Sequence, residues 1–103
     1  MSQDPPVVRR QVELTNSYGL HLGPAGKFVK LASRFQSEIR VIHNGTEING
    51  KSILDLTLLA AECGTRLDLE ARGPDASEAI DALIKLVVTE FHDEGEGPKD
   101  PAP

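Results

Sequence analysis

The chain has 103 residues, 39% of them hydrophobic and only 4% aromatic, with 16 acidic against 11 basic residues and a net charge of -5. That length fits one small domain with a core of Leu, Ile, Val and Ala. The acidic balance argues against nucleic acid as a partner, since phosphate backbones need a basic face, and the single cysteine, Cys63, excludes an internal disulfide and a cysteine-rich zinc site.

No apolar run approaches the roughly 20 residues of a membrane span. The start, Met1-Ser2-Gln3-Asp4-Pro5-Pro6, lacks the basic-then-apolar pattern of a signal peptide. A soluble cytoplasmic protein is the expectation. Residues 1–6 and the acidic, proline-rich stretch 93–103 are predicted to be flexible tails, because neither can bury a core. The folded domain is predicted over residues 7–92.

The first element is a strand, with Val8, Arg10, Val12 and Leu14 on one face at a period of two. Asn16-Ser17-Tyr18-Gly19 is turn chemistry. The period then changes: Ala25, Phe28, Val29, Ala32 and Phe35 form a helical stripe, with Lys27, Lys30 and Arg34 on another side. Pro24 fits only a first turn, which sets the helix start near residue 22.

Residues 37–43 alternate again as a strand, Asn44-Gly45 is a hairpin turn, and residues 46–48 return. After Asn49-Gly50, Ser52 stands three residues before Asp55 in a capping-box-like start. A short leucine-rich helix follows at 53–59, mostly core, with Gly64 as its predicted stop. Cys63 is expected to be a small packed residue. Leu67, Leu69 and Ala71 alternate with charged residues in a half-buried strand. Asp75 and Glu78 are expected to cap a last helix whose apolar stripe runs from Ala79 to Phe91. The order is βαββαβα. Strands with one wet face and three amphipathic helices to cover the other make an open-faced, two-layer α+β sandwich.

The segment Gly19-Leu20-His21-Leu22-Gly23-Pro24-Ala25 carries the chemistry. It sets His21 at a helix N-terminus, where unpaired backbone N–H groups and a partial positive charge favour anions. A phosphoryl group on the imidazole would meet the N–H groups of Leu22 and Gly23. The spacing alone favours an ordinary surface histidine in a loop-to-helix turn. Three dispersed histidines (His21, His43 and His92) make no metal-ligand spacing, so neither metal nor cofactor is expected.

Gly19-Leu20-His21-x-x-Pro24-Ala25 followed by Lys51-Ser52-Ile53, in this element order, resembles HPr, the histidine phosphocarrier family of the bacterial phosphoenolpyruvate-dependent phosphotransferase system. The resemblance runs over residues 8–91. It implies a four-stranded antiparallel sheet in the order 1-4-2-3 with three helices on one face. It implies that His21 is the phosphoryl acceptor, through Nδ1, taking phosphate from enzyme I and passing it to an enzyme IIA-type domain. It makes Ser52 the match of the serine modified by HPr kinase/phosphorylase, with a transcriptional regulator as a further partner. Ile53 and Leu54, with Leu22, Tyr18 and Lys27, become the expected docking surface, presented by a monomer to several partners in turn. Tyr18 can shield a phosphoryl group or simply pack the loop, and Ser52 has a plain structural role as an N-cap.

One departure is clear. The family usually has arginine directly before the proline, and this chain has Gly23. An arginine there offers a charge-assisted hydrogen bond worth roughly 1.5–3 kcal/mol. The helix terminus alone supplies roughly 0.3–2 kcal/mol. Lys27, or an arginine supplied by a partner, are the remaining sources of positive charge. The resulting alternative is a regulatory protein controlled through Ser52, with weak or absent transfer at His21.

Overall fold

The computed structural model describes residues 4–16, 19–89 and 91. The elements follow the expected order: β1 (Val7–Glu13), α1 (Leu22–Ala32), β2 (Glu38–His43), β3 (Thr46–Asn49), α2 (Ile53–Leu59), β4 (Arg66–Arg72) and α3 (Ala76–Thr89). The four strands form one sheet in the order β1-β4-β2-β3, with every pairing antiparallel. With the three helices this is an open-faced α+β sandwich. The predicted flexibility of 1–3 and 93–103 concerns residues outside those described. Of the remaining leader, Pro6 accepts a hydrogen bond from Gly73 N–H at 3.0 Å.

Alternation in the strands decides the layering. Val12, Val41, Leu67, Leu69 and Ala71 are buried on the helix side. Register pairs Val12 with Leu67 and Val41 with Leu69, so apolar side chains meet across strands on one face. Arg10 pairs with Leu69 on that same face, yet is exposed, because β1 is an edge strand and the guanidinium turns back to the Arg9 carbonyl. Phe28 from α1, Leu56 from α2, Ile80 and Leu83 from α3, and Phe91 close the core from the other side.

The outer face of the sheet is a mesh of ion pairs. Arg9 bonds Asp68 at 2.8 Å, Arg40 meets Glu38 and Glu47, and Arg66 lies 3.8 Å from Glu13. Asp68 and Glu38 hold the Arg9 and Arg40 guanidiniums above their usual pKa, chiefly through side-chain hydrogen bonds. Such exposed pairs stabilise little individually. What they do is keep that face wet.

Several expectations give way to longer-range contacts. Gly64 is not the stop of α2. The helix ends at Leu59 on Ala60, which adopts the left-handed conformation at φ 54, while Gly64 (φ 91) belongs to the turn before β4. Cys63 is exposed rather than packed, since the chain has already left the core at that turn.

Asp75 does not spend its carboxylate on α3. It accepts from the backbone N–H groups of Gln36 and Ser37, each at 2.9 Å, and from the Ser37 hydroxyl. This clamp ties the loop after α1 to the turn before α3. The Ser37 hydroxyl, then the Gln36 N–H, hold the Asp75 pKa below the ordinary carboxylate value. A depressed folded-state pKa gives stability that is full above the unfolded value and is lost as pH falls through the folded one. Asp75→Asn is therefore expected to lower the denaturation midpoint at neutral pH and to flatten the loss of stability below about pH 4. Urea titrations of both proteins across that range check it, and parallel pH curves would contradict the clamp.

Candidate functional site

The loop before His21 is held from several sides. The Asn16 side chain is buried and its Nδ2 donates to the Gly19 carbonyl at 2.6 Å. Gly19 takes φ 63. Leu20 N–H donates to the Ala61 carbonyl at 2.8 Å, and Leu14 exchanges backbone bonds with Thr65 and Gly64. The loops 14–20 and 61–65 thus fasten each other. Leu20 is buried, so the chain arrives at residue 21 anchored.

His21 is the N-cap of α1, with extended backbone (φ -89, ψ -171) and no side-chain capping bond. Its carbonyl accepts from Ala25 N–H at 2.9 Å, starting the helix. Pro24, buried in the first turn, has no N–H to offer. The N–H groups of Leu22 and Gly23 are therefore the terminus's donors next to the imidazole. No acidic residue opposes an anion in that turn. His21 is half-buried and its Nε2 is enclosed by protein.

Ser52 is the N-cap of α2, and its Oγ accepts from Asp55 N–H at 3.2 Å, as the capping pattern predicts. Lys51 Nζ donates to the Phe35 carbonyl at 2.7 Å, pinning the start of α2 to the end of α1. The two helices touch where Ile53 lies over Gly26: a Cβ at position 26 would sit 3.6 Å from Ile53 Cδ1.

The leucine-rich run is the larger correction. Only Leu56 is buried in α2. Ile53, Leu54 and Leu58 are 41%, 63% and 72% exposed, and Leu22 is 66% exposed. A seven-residue helix buries Leu56 fully and packs Leu59 partly against the core, which leaves Ile53, Leu54 and Leu58 outside. Leu58, absent from the predicted docking residues, is the most exposed of them. Apolar residues at 53, 54, 56, 58 and 59 surround the helix, so no stripe in the sequence marks Leu58 as outward.

Lys27 lines an open groove between α1 and α3 with Lys30, Leu31, Arg34 and Leu86. It stands six positions beyond His21, about 9 Å along the helix axis. Tyr18 lies outside the described residues. No group of three or more potential metal ligands occurs among the described residues. No helix among them is long and apolar enough to cross a membrane.

A histidine at a helix start, on a 1-4-2-3 open-faced sandwich, is the arrangement of a small phosphocarrier protein. The family model for the PTS HPr component phosphorylation site matches residues 8–89. Phosphocarrier protein HPr of Neisseria meningitidis is 42% identical over 91 residues, covering 88% of this chain and 99% of its own. HPr of Cupriavidus necator is 37% identical over the same length. Among solved structures, HPr from Thermoanaerobacter tengcongensis aligns with a TM-score of 0.79 and 38% identity, covering 82% of this chain and 94% of that one. The chain belongs to the HPr family of phosphocarrier proteins.

Proposed function

We propose that His21 accepts a phosphoryl group on Nδ1 from phosphorylated enzyme I and passes it to an enzyme IIA-type acceptor. The observation that carries this reading is the N-cap placement of His21, with Nε2 enclosed and two unspent N–H groups beside it. The Nδ1 lone pair attacks phosphorus, a P–N bond forms, and the bond to the donor breaks. The N–H groups of Leu22 and Gly23 receive the phosphoryl oxygens. In the second transfer the acceptor's nucleophile takes the same phosphorus and the imidazole leaves. The protein is then the carried intermediate rather than an enzyme. It works in the cytoplasm, as a monomer, without a cofactor.

Leu22, Ile53, Leu54 and Leu58 supply the apolar part of the docking surface for these partners. Leu22, Ile53 and Leu54 are exposed beside the helix starts and Leu58 is exposed further along α2, which supports that assignment. Phosphorylation of Ser52 by an HPr kinase/phosphorylase would add about -1.5 to -2 charge at the edge of this surface. The helix start tolerates that charge, while an apolar or acidic partner does not, so the effect falls on docking.

A second reading keeps the Ser52 switch and a transcriptional regulator as partner but assigns His21 little transfer. Gly23 favours it, since no side-chain cation stands in the first turn of α1. Crh of Bacillus subtilis, described as a catabolite repression HPr, is 38% identical with a TM-score of 0.66.

Phosphate mapping separates the two. The purified protein is incubated with host extract plus phosphoenolpyruvate, and separately plus ATP. Acid-labile phosphate on His21 with phosphoenolpyruvate is the expected result. Acid-stable phosphate on Ser52 alone would establish the regulatory reading in its place.

A further inference from the structure

Between Gly19 and Leu20 lies one peptide plane that is gripped at both ends. Its carbonyl accepts from Asn16 Nδ2 at 2.6 Å. Its N–H, on Leu20, donates to the Ala61 carbonyl at 2.8 Å. The grip matters because Gly19 has no Cβ and sits at φ 63. A plane beside glycine can turn over with little steric resistance, so hydrogen bonds must hold it. The Asn16 carbonyl also accepts from Gly19 N–H at 3.2 Å, so one residue closes the turn with both backbone and side chain.

The amide is costly where it stands. Asn16 and Ser37 are the buried polar residues among those described. Ser37 spends its hydroxyl on Asp75. Asn16 Oδ1 is enclosed and accepts no hydrogen bond among the described residues. A buried amide with its acceptor unspent costs folding free energy that an apolar side chain would not. The bond it does make ends two residues before His21. Leu20, between them, is 3% exposed and packed, so it passes a change in the plane on to His21 rather than absorbing it.

We propose that Asn16 is a positioning residue for His21: by fixing the Gly19–Leu20 peptide plane it sets how the imidazole faces the N–H groups of Leu22 and Gly23. The inference rests on His21 as the phosphoryl acceptor. Asn16 touches no reactant, and the docking residues lie elsewhere, so its loss falls on the transfer step and leaves encounter with the partner alone.

Two full-length variants test this. Asn16→Asp keeps the shape and loses the donor. Asn16→Leu removes the donor and the unspent acceptor together, and serves if the buried carboxylate prevents folding. With phosphorylated enzyme I as donor, kcat for phosphoryl acceptance should fall about tenfold to a hundredfold while KM for the carrier stays at the native value. Hydrogen exchange on the unphosphorylated proteins supplies a readout that needs no phosphate. Leu20 N–H should exchange about tenfold faster in the variants, while Leu14 N–H, bonded to Thr65 across the same pair of loops, keeps its native rate. Native kcat in a folded variant would overturn the proposal. Equal acceleration at Leu14 and Leu20 would overturn it too, since Asn16 would then only stabilise the loops. A native protein that takes no phosphate would sink the reading of His21, and the exchange rates would still decide whether Asn16 holds the plane.

Discussion

Replacing Gly23 with arginine is expected to raise the equilibrium occupancy ratio of phosphorylated to free His21 roughly tenfold to a hundredfold. The reasoning is local. In the native chain a phosphoryl group on His21 would meet two N–H donors and the positive end of α1, worth about 0.3–2 kcal/mol. A guanidinium at position 23 adds a charge-assisted bond of about 1.5–3 kcal/mol, felt only by the phosphorylated form. Native and variant proteins would be brought to equilibrium with enzyme I at one fixed ratio of phosphoenolpyruvate to pyruvate, and the fractions read by mass spectrometry. The variant also exchanges glycine for a better helix former, so it should unfold at higher denaturant. That gain is common to both phosphorylation states and does not move the occupancy. Equal occupancy in the two proteins would mean that the helix terminus and the partners already supply all the stabilisation the site can use.

Gly19→Ala should destabilise the fold by roughly 2–4 kcal/mol, combining backbone strain with overpacking. At φ 63 a Cβ would lie 2.3 Å from the Ala61 carbonyl oxygen and 2.8 Å from Glu62 Cα. Both obstacles are backbone, so neither can rotate away. The first bond to yield is Leu20 N–H to Ala61 C=O, one residue before His21. The variant should thus lose phosphate acceptance even in the fraction that folds. Gly45→Ala separates the two causes, because Gly45 is also left-handed (φ 81) but has nothing within 4 Å of its would-be Cβ. Its cost should stay near the 1–2 kcal/mol of conformation alone. Equal urea midpoints for the two variants would remove close approach from the explanation.

What was readable in advance follows from what is local. Alternation at Leu67, Leu69 and Ala71, and the helical spacing of Ala25, Phe28 and Ala32, each report a buried face without knowing what buries it. Asn44-Gly45 marked its hairpin because both residues take positive φ (52 and 81), which this pair tolerates. Ser52 was readable as a cap because its bond to Asp55 spans three residues. His21 was placed correctly by Pro24, which fixes where a helix can begin.

The misreadings have one cause in common. Asp75 reaches Gln36 and Ser37, 39 and 38 residues away in sequence, and no local pattern carries that partner. Ala60 takes the left-handed cap because the chain must turn at once toward β4, although Gly64 looked the better candidate. The outward leucines of α2 belong to the same group. A helix of seven residues is too short for periodicity to define an inside. Only its neighbours, Gly26 and the rest of α1, settle which side chains are left over.

The rim of the sheet has a consequence for how much of this protein a cell can hold. A free strand edge is an invitation to polymerise, and this sheet has two, at β1 and β3. One edge carries the adjacent arginines Arg9 and Arg10, and the other offers only the four residues of β3. Copies crowded together meet either a charged edge whose side chains are already engaged or too short a template to extend. A shuttle delivers in proportion to its abundance, and these guarded borders let abundance rise without fibres forming.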